Sequence, residues 1–559
     1  MGRGILGIKP GHDGSVCLLD EGRLVFSYEA EKDSGRRHAI LTGEALVEGL
    51  SSTSEVPAVI AISGWDKRFA ATEEAVGAGY LGVAPDTIHR TRTKMLGQQV
   101  EIFSSSHERS HIMCALGMSP YPQGQPCYAL VWEGVIGAFY RVDELSRVSK
   151  VGDVMLNPGA KYAFAYAIAN QRHQAAFFGL FDPEAAGKLM ALTGYSALQA
   201  PSSTEARLIK QLLEDTAGAI PEQTRSRWTA LRSKKEFEWS ELHNVGVEND
   251  SFKTFARKFS EELFDVFFRF AKEHLQPGYP LLIAGGCGLN CDWNTKWLDS
   301  GLFSGVFVPP CANDTGSAIG TAVDAQGTMT GNWKIDWDVY TGQDFHDDRT
   351  VVESDSLAVE EVSTQRVAEL LARDYVLACA RGRCEIGPRA LGNRSLLAAP
   401  FKRETRDRLN AIKQREGFRP IAPVCLEEDA SEHFSGPLPS PYMLYFQKVI
   451  NPTLQAITHV DGTARAQTVN RIQNPFLTDL LQAFRDRTGA AVLCNTSFNF
   501  KGMGFINSAS DVLKFLEKHD VDGAIVGEQL VLKKNAQARG RTEGANLDRV
   551  ADVAAVAAF

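Results

Sequence analysis

Three short apolar runs open the chain. Ile5–Ile8 and Val16–Leu19 read as strands on either side of the turn Lys9-Pro-Gly-His-Asp-Gly-Ser15, and Arg23–Tyr28 follows Asp20-Glu-Gly22 as a third strand. The period then changes. In Phe103–Leu116 (FSSSHERSHIMCAL), Ser104, Ser105 and Ser106 offer N-caps, and Ile112, Ala115 and Leu116 give an apolar side on which a helix can pack. Tyr128–Glu133 and Gly137–Val142 predict strands, and Ala186-Gly-Lys188-Leu-Met190 a helix start or tight turn carrying a cation. From about 205 to 273 the pattern is largely helical, and Phe252, Phe255, Phe259, Leu263, Phe267 and Phe270, spaced by three and four, form a core-packing stripe. Pro280–Ala284 and Val306–Val308 are short buried strands that run into glycine-rich turns. Thr364–Arg373 predicts a helix, and Val376–Ala380 and Ala491–Leu493 predict strands.

A chain of 559 residues exceeds one hydrophobic core and implies about two to four domains. Its 44% hydrophobic and 23% charged residues are ordinary for a globular protein. The net charge of -9 excludes a general basic surface for nucleic acid or anionic lipid, so any phosphate site must be locally concentrated. Ten cysteines without CxxC spacing, and an opening without a charged-then-apolar signal, predict reduced thiols in the cytoplasm. Apolar runs fall short of a membrane span. Asp338–Arg349 is polar and irregular, as a linker would be, and the segment after Glu528 turns polar and then Ala/Val-rich with no assigned role. Oligomeric state leaves no signal.

The chemistry-bearing residues fall into clusters. On a helix, His107 and His111 leave one face a turn apart and can ligate one metal ion. They also spell His-Glu-x-x-His, which in a zinc peptidase makes Glu108 the general base, with Glu133 downstream as a third ligand. The N-terminal turn carries His12 and Asp13 on a glycine-rich backbone suited to phosphate. The charged segment Glu29–His38 reads as a solvated loop or a substrate rim. Gly285, Gly286 and Asn290 follow one strand, and Asp314 follows another at a strand-to-helix turn, where backbone approaches a nucleotide and a carboxylate meets a cation. Three cationic or polar stretches follow: Arg389, Arg394 and Ser395; Lys413, Arg415 and Arg419; and Asn495, Ser497 and Asn499, with Arg465 between the last two. Guanidinium forks and backbone donors converging on oxygens suit a phosphate or carbamate.

IKPGHDGS, SHERSH, VWEG, GKLM, AGGCGLN and PPCANDTGSAIG resemble the first domain of the O-carbamoyltransferases that act on hydroxymethylcephems, aminoglycosides and nodulation factors. The later arginine-rich runs resemble their second domain. The wording lies nearest the hydroxymethylcephem branch, with a sugar hydroxyl as the near alternative. The resemblance implies an α/β protein with an actin-like domain over residues 1–345, similar to the tRNA threonylcarbamoyl-transfer protein. A YrdC-like α/β domain over 346–535 and a tail at 536–559 complete it. It implies carbamoyl phosphate and ATP, with Mg2+, as substrates, carbamoyladenylate as intermediate, and a small-molecule hydroxyl acceptor. The implied metal, Fe(II), maps onto His107, His111 and Asp314, with Glu133 where aminoglycoside members are expected to carry Asp. The carbamoyl phosphate and nucleotide site maps onto Arg389, Arg394, Ser395, Lys413, Arg415, Arg419, Arg465, Asn495, Ser497 and Asn499, with Lys188, Gly285, Gly286 and Asn290 in the first domain. His12, an imidazole able to take a proton near neutral pH, is the candidate base for the acceptor hydroxyl. A zinc peptidase and a nonenzymatic actin-like ATP switch are the alternatives of other classes. The first has no need of a second arginine-rich domain, and the second none of the histidine pair.

Overall fold

The computed structural model describes residues 4–65, 76–172, 184–214 and 234–535, so the tail 536–559 and part of the expected helical stretch, 215–233, lie outside the described residues. The opening pattern folds as its period dictates. β1 (Ile5–Lys9), β2 (Ser15–Asp20) and β3 (Arg23–Glu29) form an antiparallel meander, and β4 (Val59–Ser63) pairs parallel to β1. β5 (His89–Met95) and β6 (Gln98–Ser105) complete a sheet of order β3-β2-β1-β4-β6-β5.

A second sheet repeats this connectivity. β7 (Cys127–Trp132), β8 (Gly137–Val142) and β9 (Val148–Asp153) form another meander, β10 (Leu281–Ala284) pairs parallel to β7, and β11 (Val306–Phe307) parallel to β10. Its order, β11-β10-β7-β8-β9, matches β6-β4-β1-β2-β3 strand for strand. This duplication is the topology expected of an actin-like domain.

The helices His107–Met118 and Ser317–Thr330 pack on each other in the core between the duplicated halves. The stretch Phe103–Leu116 predicts a helix with one apolar side, yet all twelve residues of the helix His107–Met118 are buried. Its charged residues are paired internally: Arg109 donates to both oxygens of Asp324 on the facing helix, at 2.7 and 2.8 Å, and to Val83 O at 2.7 Å. The phenylalanine stripe lies on Asp250–His274 and is buried from Phe252 to Phe267 against Trp293 and Trp297, as core packing requires.

The rest of the chain builds a mixed sheet of eight strands. β12 (Leu357–Glu361), β13 (Leu377–Ala380), β14 (Arg394–Ala398) and β15 (Ala422–Leu426) belong to it. β16 (Phe434–Ser435), β17 (Gln447–Val449) and β18 (Thr463–Ala464) form a small separate sheet. β19 (Gln467–Val469), β20 (Val492–Ser497), β21 (Gly523–Val526) and β22 (Gln529–Lys533) give the large sheet its order β12-β22-β21-β13-β14-β20-β15-β19. Both faces of its central strands are covered. Leu377 and Cys379 of β13 join one core with the helix Pro475–Thr488, and Ala378 and Ala380 join another with Ala509–Lys518, as the two-residue period demands. The predicted strand 491–493 runs on to Ser497, so Asn495 and Ser497 are strand residues, not a loop beyond its end.

The expected linker is not loose chain. Ser27 N donates to Thr341 O at 2.8 Å, which covers the edge of β3, and Cys384 N donates to Gln343 O at 2.7 Å. Among the described residues, no helix is long and apolar enough to cross a membrane.

Candidate metal centre and anion site

Four strand or helix termini deliver one cluster. His107 and His111 come from the first turns of the helix capped by Ser106, whose Oγ accepts from Arg109 N. Glu133 follows the end of β7, and Asp314 lies in the turn that leads into Ser317–Thr330. Glycines let these elements close. A Cβ on Gly285, at φ +97°, would meet Trp132 O at 2.5 Å beside Glu133.

The Nε2 atoms of His107 and His111 are 3.1 Å apart. Glu133 Oε2 lies 3.4 and 3.8 Å from them, and Asp314 Oδ1 3.7 and 3.4 Å. Metal–ligand bonds of about 2.1 Å place neighbouring ligand atoms roughly 3.0–3.4 Å apart, so the cluster has the dimensions of a metal-binding shell. Its chemistry fits too. Two imidazoles and two carboxylates are buried together, each able to offer one ligand atom to a common centre. Burial lowers the His107 pKa to about 3, keeping its ring neutral as a ligand must be. Burial, then the Asp314 charge, raises Glu133 to about 7. Asp314 stays ionised: burial pushes its pKa up, but the charges of Lys9 and His12 and a hydrogen bond from His111 hold it well below the ordinary value.

Glu108 faces elsewhere. Its carboxylate accepts from Gly82 N at 2.7 Å and from Tyr140 Oη, and Lys150 Nζ lies 3.2 Å away. That tethered group is not poised as a peptidase base.

The N-terminal turn borders the cluster. His12 Nδ1 is 3.0 Å from Asp13 Oδ2 and 3.7 Å from Asp314 Oδ2. Lys9, fully buried, donates to Pro10 O and His12 O at 2.8 and 2.9 Å, lies 3.3 Å from Asp314 Oδ2, and covers the Trp65 ring. Trp65 meets His12 and His107 edge-on, while Tyr80 stacks on His107 and donates to Glu133 Oε1 at 2.9 Å. Lys9, Trp65 and Tyr80 were not singled out from sequence, because only the packing of distant segments brings them here.

The second cluster lies at the junction of the two halves. Arg419 donates to Glu184 at 2.7 Å, and Lys188 Nζ lies 3.1 Å from Glu416, which places Lys188 at this junction. Burial, then Arg465, Arg37 and Arg419, lowers the Arg389 pKa to about 9. Burial, then Arg419 and Arg465, does the same to Arg415, and burial with Arg415 and Arg419 pushes Lys413 well down. Crowded cations of this kind call for an anion. Arg389 and Arg465 each keep a buried Nε without a hydrogen-bond partner, and Arg37 Nε lies 3.4 Å from Glu31 Oε2. Arg37, from the charged segment read as a possible substrate rim, was missed.

Other expected ligands are spoken for to different degrees. Lys413 Nζ donates to Ser497 O and Ser497 Oγ at 2.6 and 3.2 Å and to the Asn499 side chain, joining three predicted residues. Arg415 Nε donates to Asn410 Oδ1 at 2.6 Å. Asn495 donates to Ala390 O and Gln467 but keeps a buried Oδ1 without a partner. Asn290 caps the helix Cys291–Asp299 and keeps a buried Nδ2 without a partner, and space is open above Gly286. Arg394 departs from expectation. All five of its N–H groups have acceptors in Asn507, Arg381, Asn393 and Gly382, so it organises its own loop, and Ser395 Oγ accepts from Gly392 N.

The protein thus joins a cationic cluster able to hold an anion to a buried group of two histidines and two carboxylates that could hold a metal ion. Residues 87–323 match the family described as Carbamoyltransferase N-terminus, and residues 368–533 that described as Carbamoyltransferase C-terminus. A 3'-hydroxymethylcephem-O-carbamoyltransferase of Amycolatopsis lactamdurans is 42% identical over 94% of this chain and 98% of its own length. Nodulation protein U of Rhizobium tropici is 33% identical over 90% and 92%. Among solved structures, component A of the (R)-2-hydroxyglutaryl-CoA dehydratase of Acidaminococcus fermentans aligns with 57% of the chain and 96% of its own, at 14% identity and a TM-score of 0.32. The chain belongs to the carbamoyltransferase family and is a transferase.

Proposed function

We propose that the chain is an ATP-dependent O-carbamoyltransferase whose acceptor is the hydroxyl of a hydroxymethylcephem. The observation that carries the reading is the junctional cluster of Arg37, Arg389, Lys413, Arg415, Arg419 and Arg465, a crowd of cations in which Arg389 and Arg465 each keep a buried Nε without a hydrogen-bond partner, as suits carbamoyl phosphate and nucleotide oxygens. An actin-like domain at 1–345 and a YrdC-like domain at 346–535 divide the work. In the second, carbamoyl phosphate, ATP with Mg2+ and water give carbamoyladenylate, phosphate and pyrophosphate. In the first, the acceptor oxygen bonds to the carbamoyl carbon and AMP departs. Activation is required because a carbamoyl carbonyl is a poor electrophile, whereas its mixed anhydride with AMP carries a good leaving group.

His107, His111, Glu133 and Asp314 would hold a divalent metal, Fe(II) on the family resemblance, which supplies Lewis acidity toward phosphate and carbonyl oxygens. His12 takes the acceptor proton. Lys9 fixes the carbonyls of the turn that carries His12, and Tyr80 orients Glu133. Gly286 offers backbone room to the nucleotide, on the turn that Gly285 closes and Asn290 leads into the next helix. Ten buried free cysteines are in keeping with a reducing cytoplasm.

The acceptor assignment rests on the relative's name and the matched wording, and a sugar hydroxyl is the second reading. The test is mass spectrometry of reactions with ATP, carbamoyl phosphate and a panel of hydroxymethylcephems and aminoglycosides. A carbamoylated cephem with stoichiometric AMP and pyrophosphate supports the proposal. A carbamoylated sugar transfers it to the second reading, and product formed without ATP overturns it.

A further inference from the structure

Asp13 has a two-sided role that its sequence position does not reveal. Its Oδ2 faces His12 Nδ1 at 3.0 Å, and its Oδ1 faces His38 Nδ1 at 2.9 Å. The carboxylate is buried and ionised: burial raises its pKa, but the hydrogen bonds from the two imidazoles hold it far below the ordinary value. A carboxylate between two Nδ1 atoms can only accept, so each ring must carry its proton on Nδ1. His38 is held by the same carboxylate. Its Nε2 is buried without a hydrogen-bond partner, so the polar contact of the ring is the one from Nδ1 to Asp13.

The backbone is built to hold this contact. His38 sits at φ +54° and its N–H donates to Glu31 Oε2 at 2.9 Å. Gly14 N donates to Ala39 O at 2.9 Å, and a Cβ on Gly14 would stand 2.1 Å from Leu41 N, so the His12 turn and the His38 loop meet backbone to backbone. Asp13 is itself in the left-handed region at φ +50°, a conformation Asp tolerates, which turns its side chain between the rings.

We infer that Asp13 and His38 are positioning residues for His12: Asp13 fixes the Nδ1–H tautomer so that the Nε2 lone pair is presented to the acceptor hydroxyl, and His38 locks the carboxylate in that orientation. This rests on the reading of His12 as the acceptor base. His12 Nε2 then takes the hydroxyl proton as the oxygen bonds the carbamoyl carbon, and Asp13 stabilises the imidazolium without itself taking a proton.

Two measurements test it. Protein labelled with 15N-histidine, with the His12 signal identified from His12→Gln, should show His12 neutral and protonated at Nδ1 under alkaline conditions, and Asp13→Asn should convert that signal to a tautomer mixture. A wild-type ring protonated at Nε2, or one unchanged by Asp13→Asn, overturns the inference whatever the activity. In turnover, His38→Ala should lower kcat for transfer on the order of 10- to 100-fold. His38→Asn, whose amide can donate from the Nδ1 position, should restore most of it at equal thermal stability. Retained transfer in His38→Ala, or equal losses in Ala and Asn, also overturns the inference. If His12→Gln itself transfers normally, the base assignment fails instead, a result the tautomer measurement does not depend on.

Discussion

Gly320 touches the backbone of Ser110: a Cβ on Gly320 would stand 1.8 Å from Ser110 O. The helix carrying His107 and His111 therefore rests directly on the helix that Asp314 leads into. No side chain could be inserted there without parting the ligands. Gly320→Ala should destabilise the protein by about 1–3 kcal/mol, as overpacking does, and weaken metal binding with it. Thermal unfolding and metal content of the purified variant check both.

Within the ligand cluster, removing a donor and removing a neighbour should differ. His107→Ala, His111→Ala and Asp314→Ala should each lose bound metal and transfer. Glu108→Gln should keep its metal and a substantial share of activity, because Glu108 is committed to Gly82, Tyr140 and Lys150. Its cost falls on stability, on the order of 1–3 kcal/mol for disturbed buried hydrogen bonds. Metal analysis and peptide cleavage assays decide: a Glu108→Gln variant that has lost all activity, in a protein that cuts peptides, would restore the peptidase reading.

These contrasts also mark what the sequence made legible. The β1–β3 meander, the histidine helix and the phenylalanine stripe were readable because each is written in local periodicity. The complete burial of 107–118 was not, since Arg109 looks solvated until Asp324, 215 residues away, is known to pair with it. Arg394 and Arg389 read alike as anion binders five residues apart. Only the fold shows that the first spends every donor on its own loop and on Asn507 while the second keeps one Nε free. His38 looked like part of a charged rim because the partner of its ring, Asp13, lies on another segment.

Glu133 predicts a pH signature of the metal-free protein. Its folded pKa is raised from 4.5 to about 7, by burial first and the Asp314 carboxylate second, so between those values the folded state binds more protons than the unfolded one. Stability of the metal-free protein should fall as pH rises through that window. Metal binding must displace the proton, so affinity should weaken as pH drops below about 7. Thermal melts and metal titrations against pH, run beside Glu133→Gln, check the assignment. The variant should lose its share of the slope, and an unchanged slope would remove Glu133 as the titrating group.

The junctional cations predict a reversal of the usual effect of deleting a buried charge. With no anion present, Arg389, Arg415 and Lys413 lie under mutual repulsion and the cost of burial, so Arg465→Met should leave the melting temperature unchanged or raise it. Carbamoyl phosphate or pyrophosphate should stabilise the wild type, by about 2.7 kcal/mol at a hundredfold excess over its dissociation constant, and do little for Arg465→Met. The same logic separates chemistry from architecture at Arg419, which also bridges the halves through Glu184. Arg419→Ala should abolish carbamoyl-phosphate-dependent pyrophosphate release. Glu184→Gln, which breaks the bridge but spares the cation, should retain it, and His107→Ala should keep much of it while losing transfer. Equal loss of pyrophosphate release in Arg419→Ala and Glu184→Gln would mean that the junction, not the anion, is what Arg419 serves. Equal loss in His107→Ala would mean that activation and transfer share one site.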